Sequence, residues 1–198
     1  MPDKSWKKHE RETAKYFGTT RRLRGDDYSQ EDVEILFNAG EWLSSSRYSQ
    51  VTVVVECKYR KQIGIFDNFK SAKQAGRSRK TILRIGEYIL CNLKDFKDVF
   101  VDLIDNDLDV VTLSERYCIL HDEKKQPKYL DEYLEQAQEY CKNLPSSEHC
   151  LPLVSLARAS TPGKIICVHS SSITAFKQYI SGQKISNDKY SDSHNINR

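Results

Sequence analysis

The sequence has no run approaching the roughly 18 to 20 consecutive apolar residues that a membrane-spanning helix needs, and its opening, MPDKSWKKHERE, holds no apolar stretch suited to a secretory signal. It also lacks a Gly-rich phosphate loop and a serine-nucleophile motif, which removes the commonest routes to nucleotide hydrolysis and acyl transfer. The six cysteines, Cys57, Cys91, Cys118, Cys141, Cys150 and Cys167, show no framework spacing, and several sit in apolar runs. Free buried thiols in a cytosolic, reducing compartment are the expectation, with no membrane partner. Cys118-x-x-His121 with Cys141 and His149-Cys150 has gaps that match no compact zinc knuckle.

What is present suits one globular domain: 198 residues, 38% hydrophobic and 30% charged. The net charge of +3 hides an uneven distribution. Residues 1–80 carry 17 Lys and Arg against 11 Asp and Glu, 81–140 carry 7 against 14, and 141–198 carry 7 against 3. A polyanionic partner on one face would suit the basic first segment, as would an ordinary solvated surface.

That basic segment surrounds QVTVVVECKYRK, residues 50–61. Its β-branched run Thr52-Val53-Val54-Val55 reads as a strand, and Glu56 and Lys58 share one face because side chains alternate. Cys57 then points to the opposite face, into the core. A carboxylate and an ammonium side by side at a strand end can bind a divalent cation and a phosphate, or form a surface ion pair.

Three neighbouring segments bear on that choice. Ser5 to Gly18 reads as an amphipathic helix, N-capped by Ser5, with Trp6, Thr13, Ala14 and Phe17 inward. Glu10 falls at the edge of the inward face, and pairing with Lys7 or Arg11 at the surface is its other reading. Arg21, Arg22 and Arg24 in an extended segment ending at Gly25 suit phosphate contact, because the guanidinium fork matches phosphate oxygens. Asp32 opens a strand running to Phe37 that can pair with residues 50–61 and bring Asp32 beside Glu56. Asp26 and Asp27 are less favoured rivals for a metal.

The order of a helix with Glu10, an Arg-rich segment ending in Gly25, Asp32 opening a strand, and Glu56-x-Lys58 closing the next resembles the PD-(D/E)XK nuclease superfamily. Within it, SWKKHERETAKYFG and RRLRG are most similar to archaeal and phage Holliday junction resolvase-like endonucleases. Glu31 precedes Asp32 where the pattern's name has proline. The resemblance implies an α/β, restriction-endonuclease-like core: a central mixed β-sheet flanked by helices, with an inserted segment. It implies an enzyme that hydrolyses DNA phosphodiester bonds with Mg²⁺, Mn²⁺ being able to substitute. Asp32, Glu56 and the carbonyl of Cys57 would hold the metal. Lys58 would orient the attacking water and balance charge on the phosphate, and Glu10 would complete the outer shell. Lys7, Lys8, Arg21, Arg22, Arg24 and Lys61 form the expected DNA-binding set. A branched DNA partner, a homodimer matching the symmetry of a four-way junction, and a prokaryotic or viral cytoplasmic setting follow from the same resemblance. A non-catalytic DNA-binding or assembly module, and a restriction or repair nuclease acting on duplex or flap DNA, share these residues.

The remaining chain divides as follows. A basic helical stretch is expected over 68–80, strands around Gly86 within 82–90, an acidic helix over 94–105, and short strands or helix ends within 107–120. A helix over 129–142 has Leu130, Tyr133, Leu134, Ala137 and Cys141 on one side. Strands over 151–158 and 164–169 flank the turn Thr161-Pro162-Gly163, and a last helix spans 172–180. The core helix is placed at 129–142, the alternative being Lys70–Lys80 with Gln74 near the metal. One nuclease domain is expected over 1–181, with an insertion at about 64–125 and a flexible tail over 182–198.

Overall fold

A seven-stranded mixed sheet organises the chain, with strand order β1-β2-β6-β7-β4-β3-β5. The computed structural model of the chain describes residues 5–19, 34–38, 51–61, 63–76, 80–105, 116–122, 127–144, 150–159 and 161–192. The strands are β1 (Glu34–Asn38), β2 (Thr52–Arg60), β3 (Lys80–Ile85), β4 (Tyr88–Asn92), β5 (Tyr117–Asp122), β6 (Cys150–Arg158) and β7 (Ile165–His169). The helices are α1 (Ser5–Tyr16), α2 (Ile65–Gly76), α3 (Phe96–Asp105), α4 (Lys128–Lys142) and α5 (Ser170–Asp192). β2 runs parallel to β6, and β3 to β5; the other pairings are antiparallel. This is an α/β architecture with a mixed central sheet and helices on both faces.

Alternation along β2 sorts the two faces. Val53, Val55 and Cys57 join the core under α1, α3 and α5, with Ala14, Phe17, Phe96, Phe100 and Phe176. Val54 packs on Tyr140 and Cys141 of α4, and Val154 and Leu156 of β6 meet Leu130, Tyr133 and Leu134 of the same helix. Because β2 and β6 are covered on both sides, Val53 to Val55 of β2 and most of β6 are apolar, as sheets buried on both faces require. Pro152 donates no backbone hydrogen bond, and it lies before the β6–β7 ladder, which covers Val154 to Leu156.

Several local readings hold. Gly86 (φ 55°) turns β3 into β4, and Gly163 (φ 95°) shapes the bend between β6 and β7, conformations that residues with a Cβ rarely adopt. The helix over 128–142 packs on β2 and β6, whereas Gln74 of α2 is exposed and α2 lies against β3 and β5. Segment 64–125 carries α2, β3, β4, α3 and β5, and its three strands extend the same sheet.

Other readings are corrected. The basic helix ends at Gly76, and Lys80 instead opens β3. The last helix spans Ser170–Asp192, longer at both ends than 172–180. A glycine costs a helix interior about 1 kcal/mol relative to alanine and does not by itself end it. Cys141 and Cys150 are joined in a disulfide with Cα atoms 5.5 Å apart, so only Cys57, Cys91, Cys118 and Cys167 are free thiols. The bridge forms because α4 returns the chain to the start of β6, a juxtaposition that the spacing of nine does not reveal. It also takes both cysteines out of any zinc site. No helix among the described residues is long and apolar enough to cross a membrane.

Candidate functional site

The strand end that carries Glu56 and Lys58 is built as an internal ion pair. Lys58 Nζ lies 2.7 Å from Glu56 Oε1, with side chains 17% and 6% exposed. The same ammonium donates to Gln136 Oε1 at 2.5 Å and stands 5.2 Å from the centre of the Tyr133 ring. Arg60, next on that face of β2, donates from Nε to the Tyr133 hydroxyl at 3.1 Å. Gln136 and Tyr133 are three positions apart on α4 and therefore point the same way. They hold the two cations of β2 in fixed directions. Neither residue is identifiable from sequence as part of the site, since 78 positions separate Gln136 from Lys58.

On the opposite face, α1 is locked to the sheet by buried polar contacts. His9 Nε2 is 3.1 Å from the Ser155 carbonyl oxygen, which only accepts, so Nε2 carries the proton. Thr13 Oγ1 lies 3.5 Å from His9 Nδ1 and 3.3 Å from Ser155 Oγ. Burial holds His9 at a pKa of about 4, well below the usual histidine range, and the nearby Lys164 ammonium also disfavours its charged form. The imidazole is therefore neutral at pH 7. Ser155 is the register partner of Cys57, so this lock fixes α1 over the middle of the Glu56-Cys57-Lys58 triplet.

Glu10 follows His9 on α1 and is buried, only 4% exposed. Trp6 is partly exposed; the inward face expected of this helix thus includes His9 and Glu10 instead. Burial pushes the Cys57 thiol well above the usual thiol range, and the Glu56 and Glu10 carboxylates push it further. The thiol stays protonated and is no nucleophile. Both carboxylates bear on this one residue, Glu10 from the α1 layer and Glu56 from the α4 side of β2.

β1 and β2 pair as expected, but the register seats Glu34 opposite Glu56. An acidic residue thus stands across the strand pair from Glu56, and it is Glu34. Asp32 lies two positions earlier, outside the described residues, as do Arg21, Arg22, Arg24, Asp26 and Asp27. Lys7 is partly exposed and sits 5.3 Å from the Trp6 ring centre. Lys8 is exposed and 3.9 Å from Glu12, and Lys61 is exposed at the end of β2. Among the described residues, no group of three or more His, Cys, Asp or Glu side chains is arranged to hold a metal ion. Chemically, the strand end offers one buried carboxylate, Glu56, beside one oriented ammonium, Lys58, while the buried Glu10 approaches β2 from its other face. Comparison with protein-family models, curated proteins and solved structures finds no match.

Proposed function

We propose that this chain is a metal-dependent DNA endonuclease of the PD-(D/E)XK type, with Glu56 and Lys58 at its centre. The observation that carries the reading is the Glu56–Lys58 pair, 2.7 Å apart and aimed by Gln136 at the end of a buried strand. Burying two charges is expensive, and a well-packed apolar pair of the same volume often serves stability as well or better. A fold gains from retaining such a pair where the charges have a chemical task.

Asp32, Glu56 and the Cys57 carbonyl would hold Mg²⁺, a hard cation that prefers oxygen ligands, commonly takes one or two carboxylates and keeps several waters, with Glu10 in the outer shell. When bound, the ion supplies an acidified water and stabilises charge on the phosphate. The chain's own residues do the rest. Lys58, held by Gln136 and Tyr133, orients the water and faces the phosphate's developing negative charge. The protonated Cys57 thiol packs as a small apolar group. Arg21, Arg22 and Arg24, with Lys7, Lys8 and Lys61, take the flanking phosphates. A branched junction as substrate and a homodimer belong to the same proposal. The engagement of Glu56 by Lys58 also suits a second reading, a DNA-binding or assembly module in which the pair is structural.

The test is incubation with Mg²⁺ and a panel of junction, flap, single-stranded and linear duplex DNA. The wild-type protein should cut at least one substrate. Glu56→Gln, which retains an oxygen for Lys58, should bind DNA without cutting it, as should Asp32→Ala. Lys58→Ala removes one partner of a buried ion pair, a change that costs about 3 to 5 kcal/mol, so Glu56→Gln is the cleaner variant. Cleavage by Glu56→Gln at the wild-type rate, or no cleavage of any substrate by wild type, overturns the reading.

A further inference from the structure

The basic stretch that ends α2 has a place of its own in the fold. A cleft of about 500 Å³ opens between α2 and the bend joining β6 to β7. Lys70, Lys73, Arg158 and Lys164 line it, Phe66 and Phe69 are among its apolar lining residues, and among the described residues no acidic one lines it. Asp67 holds Arg158 at 2.7 Å, and Glu12 hydrogen-bonds Lys164, so those two cations are partly neutralised from outside the cleft. Lys70 and Lys73 are exposed, and among the described residues neither makes an ion pair.

The cleft adjoins the Glu56–Lys58 end of the sheet. β2 and β6 are parallel, and Arg158 is the register partner of Arg60, so both strands deliver their last residues to one edge. Arg158 alternates with Val154 and Leu156 and stands over the Phe66 ring at 5.4 Å, on the face that also carries Lys58. Lys58 and Arg158 are two residues apart along the strand and one strand apart across it, about 8 Å between Cα atoms. Lys58, Arg60, Arg158, Lys70 and Lys73 thus form a cationic path along one edge of one face. Arg158 has five N–H donors, and its bonds to Asp67 and Thr161 account for two of them.

We propose that this cleft holds the phosphodiester backbone of the nucleic-acid strand whose scissile phosphate sits at Glu56 and Lys58, with Lys70 and Lys73 as its principal phosphate contacts. The inference rests on the nuclease reading for the position of the scissile phosphate. Backbone contact of this kind is independent of base sequence and shows itself in the salt dependence of binding.

Glu56→Gln serves as the parent for the test, so that cleavage does not interfere, and binding to fluorescent single-stranded and duplex oligonucleotides is followed by anisotropy from 0.05 to 0.5 M salt. Each lost phosphate contact lowers the log–log salt slope by about 0.7 on a single strand and 0.9 on a duplex. Adding Lys70→Ala and Lys73→Ala should therefore lower the slope by about 1.4 to 1.8 and weaken binding about 25- to 60-fold at 0.1 M salt. Lys128→Ala with Lys142→Ala, the same charge removed from exposed positions on α4, should leave slope and affinity unchanged. An unaltered slope in the α2 variant, or an equal loss in the α4 control, overturns the proposal. Cleavage by wild type with binding indifferent to Lys70 and Lys73 removes the cleft and leaves the nuclease reading. Absence of cleavage alongside the expected slope change removes the nuclease reading and leaves the cleft as a nucleic-acid site.

Discussion

Lowering the pH from 7 to 5 puts the burial of His9 under direct test. The side chain is 3% exposed, donates to the Ser155 carbonyl through Nε2, and faces the Thr13 hydroxyl with Nδ1. Protonating Nδ1 would place a second N–H in a closed site where Thr13 must already serve Ser155 as well. Its folded pKa is about 4 against 6.5 in the unfolded chain. The sign follows from the proton count. Between those values the unfolded state binds the extra proton and the folded state does not, so stability rises with pH across this window. The contribution is complete above about pH 6.5 and is lost as pH falls towards 4. At 1.36 kcal/mol per unit the whole effect is about 3 kcal/mol, of which about 2 kcal/mol disappears by pH 5. Urea unfolding of wild type and His9→Gln at pH 7, 6 and 5 measures it. The glutamine keeps a donor for Ser155 and does not titrate, and every other ionisable group is common to the two proteins. Wild type should lose about 2 kcal/mol more than the variant between pH 7 and 5. Parallel pH profiles would refute the argument, because they would mean that His9 takes its proton as readily folded as unfolded.

Two further outcomes follow from contacts that the fold creates. On the proposed nuclease function, Gln136→Ala removes the acceptor that aims Lys58 and should lower kcat for DNA cleavage about 10- to 100-fold with DNA affinity maintained; a wild-type kcat would show that Lys58 needs no such support. Reducing the Cys141–Cys150 bridge, or replacing both cysteines by serine, frees a loop closed over nine positions and should cost about 2.7 kcal/mol by loop-closure entropy. Denaturant unfolding with and without reductant would read that loss, and coincident curves would count against the bridge as a contributor to stability.

Elements set by local chemistry were legible in the sequence. The β-branched run before Glu56 is a strand, Gly86 and Gly163 turn the chain, and the apolar spacing from Leu130 to Cys141 is a helix against the sheet. Boundaries set by competition between neighbours were less so. Lys80 continues a basic, helix-compatible stretch, yet it pairs with Tyr117 in β5. The ladder offers its backbone partners that a frayed helix end would leave to water. The last helix runs through Gly182, because one glycine weakens a helix without removing any of its backbone hydrogen bonds.

The site divides along the same line. Glu56, Cys57 and Lys58 are local, and strand alternation alone assigns their faces. What organises them is distant in sequence: Gln136 on Lys58 across 78 positions, and His9 on Ser155 across 146. No periodicity marks such contacts, because a polar residue that faces inward breaks the pattern by which inward faces are found. His9, Thr13 and Ser155 nevertheless obey a simple constraint, that buried donors and acceptors must find one another. A helix presenting His, Glu and Thr at positions 9, 10 and 13 to a sheet needs polar partners on that sheet, and β6 offers a side-chain hydroxyl and a backbone carbonyl at Ser155. The same constraint bears on Glu56: a buried carboxylate is costly unless a cation lies near, and Lys58 supplies one at 2.7 Å.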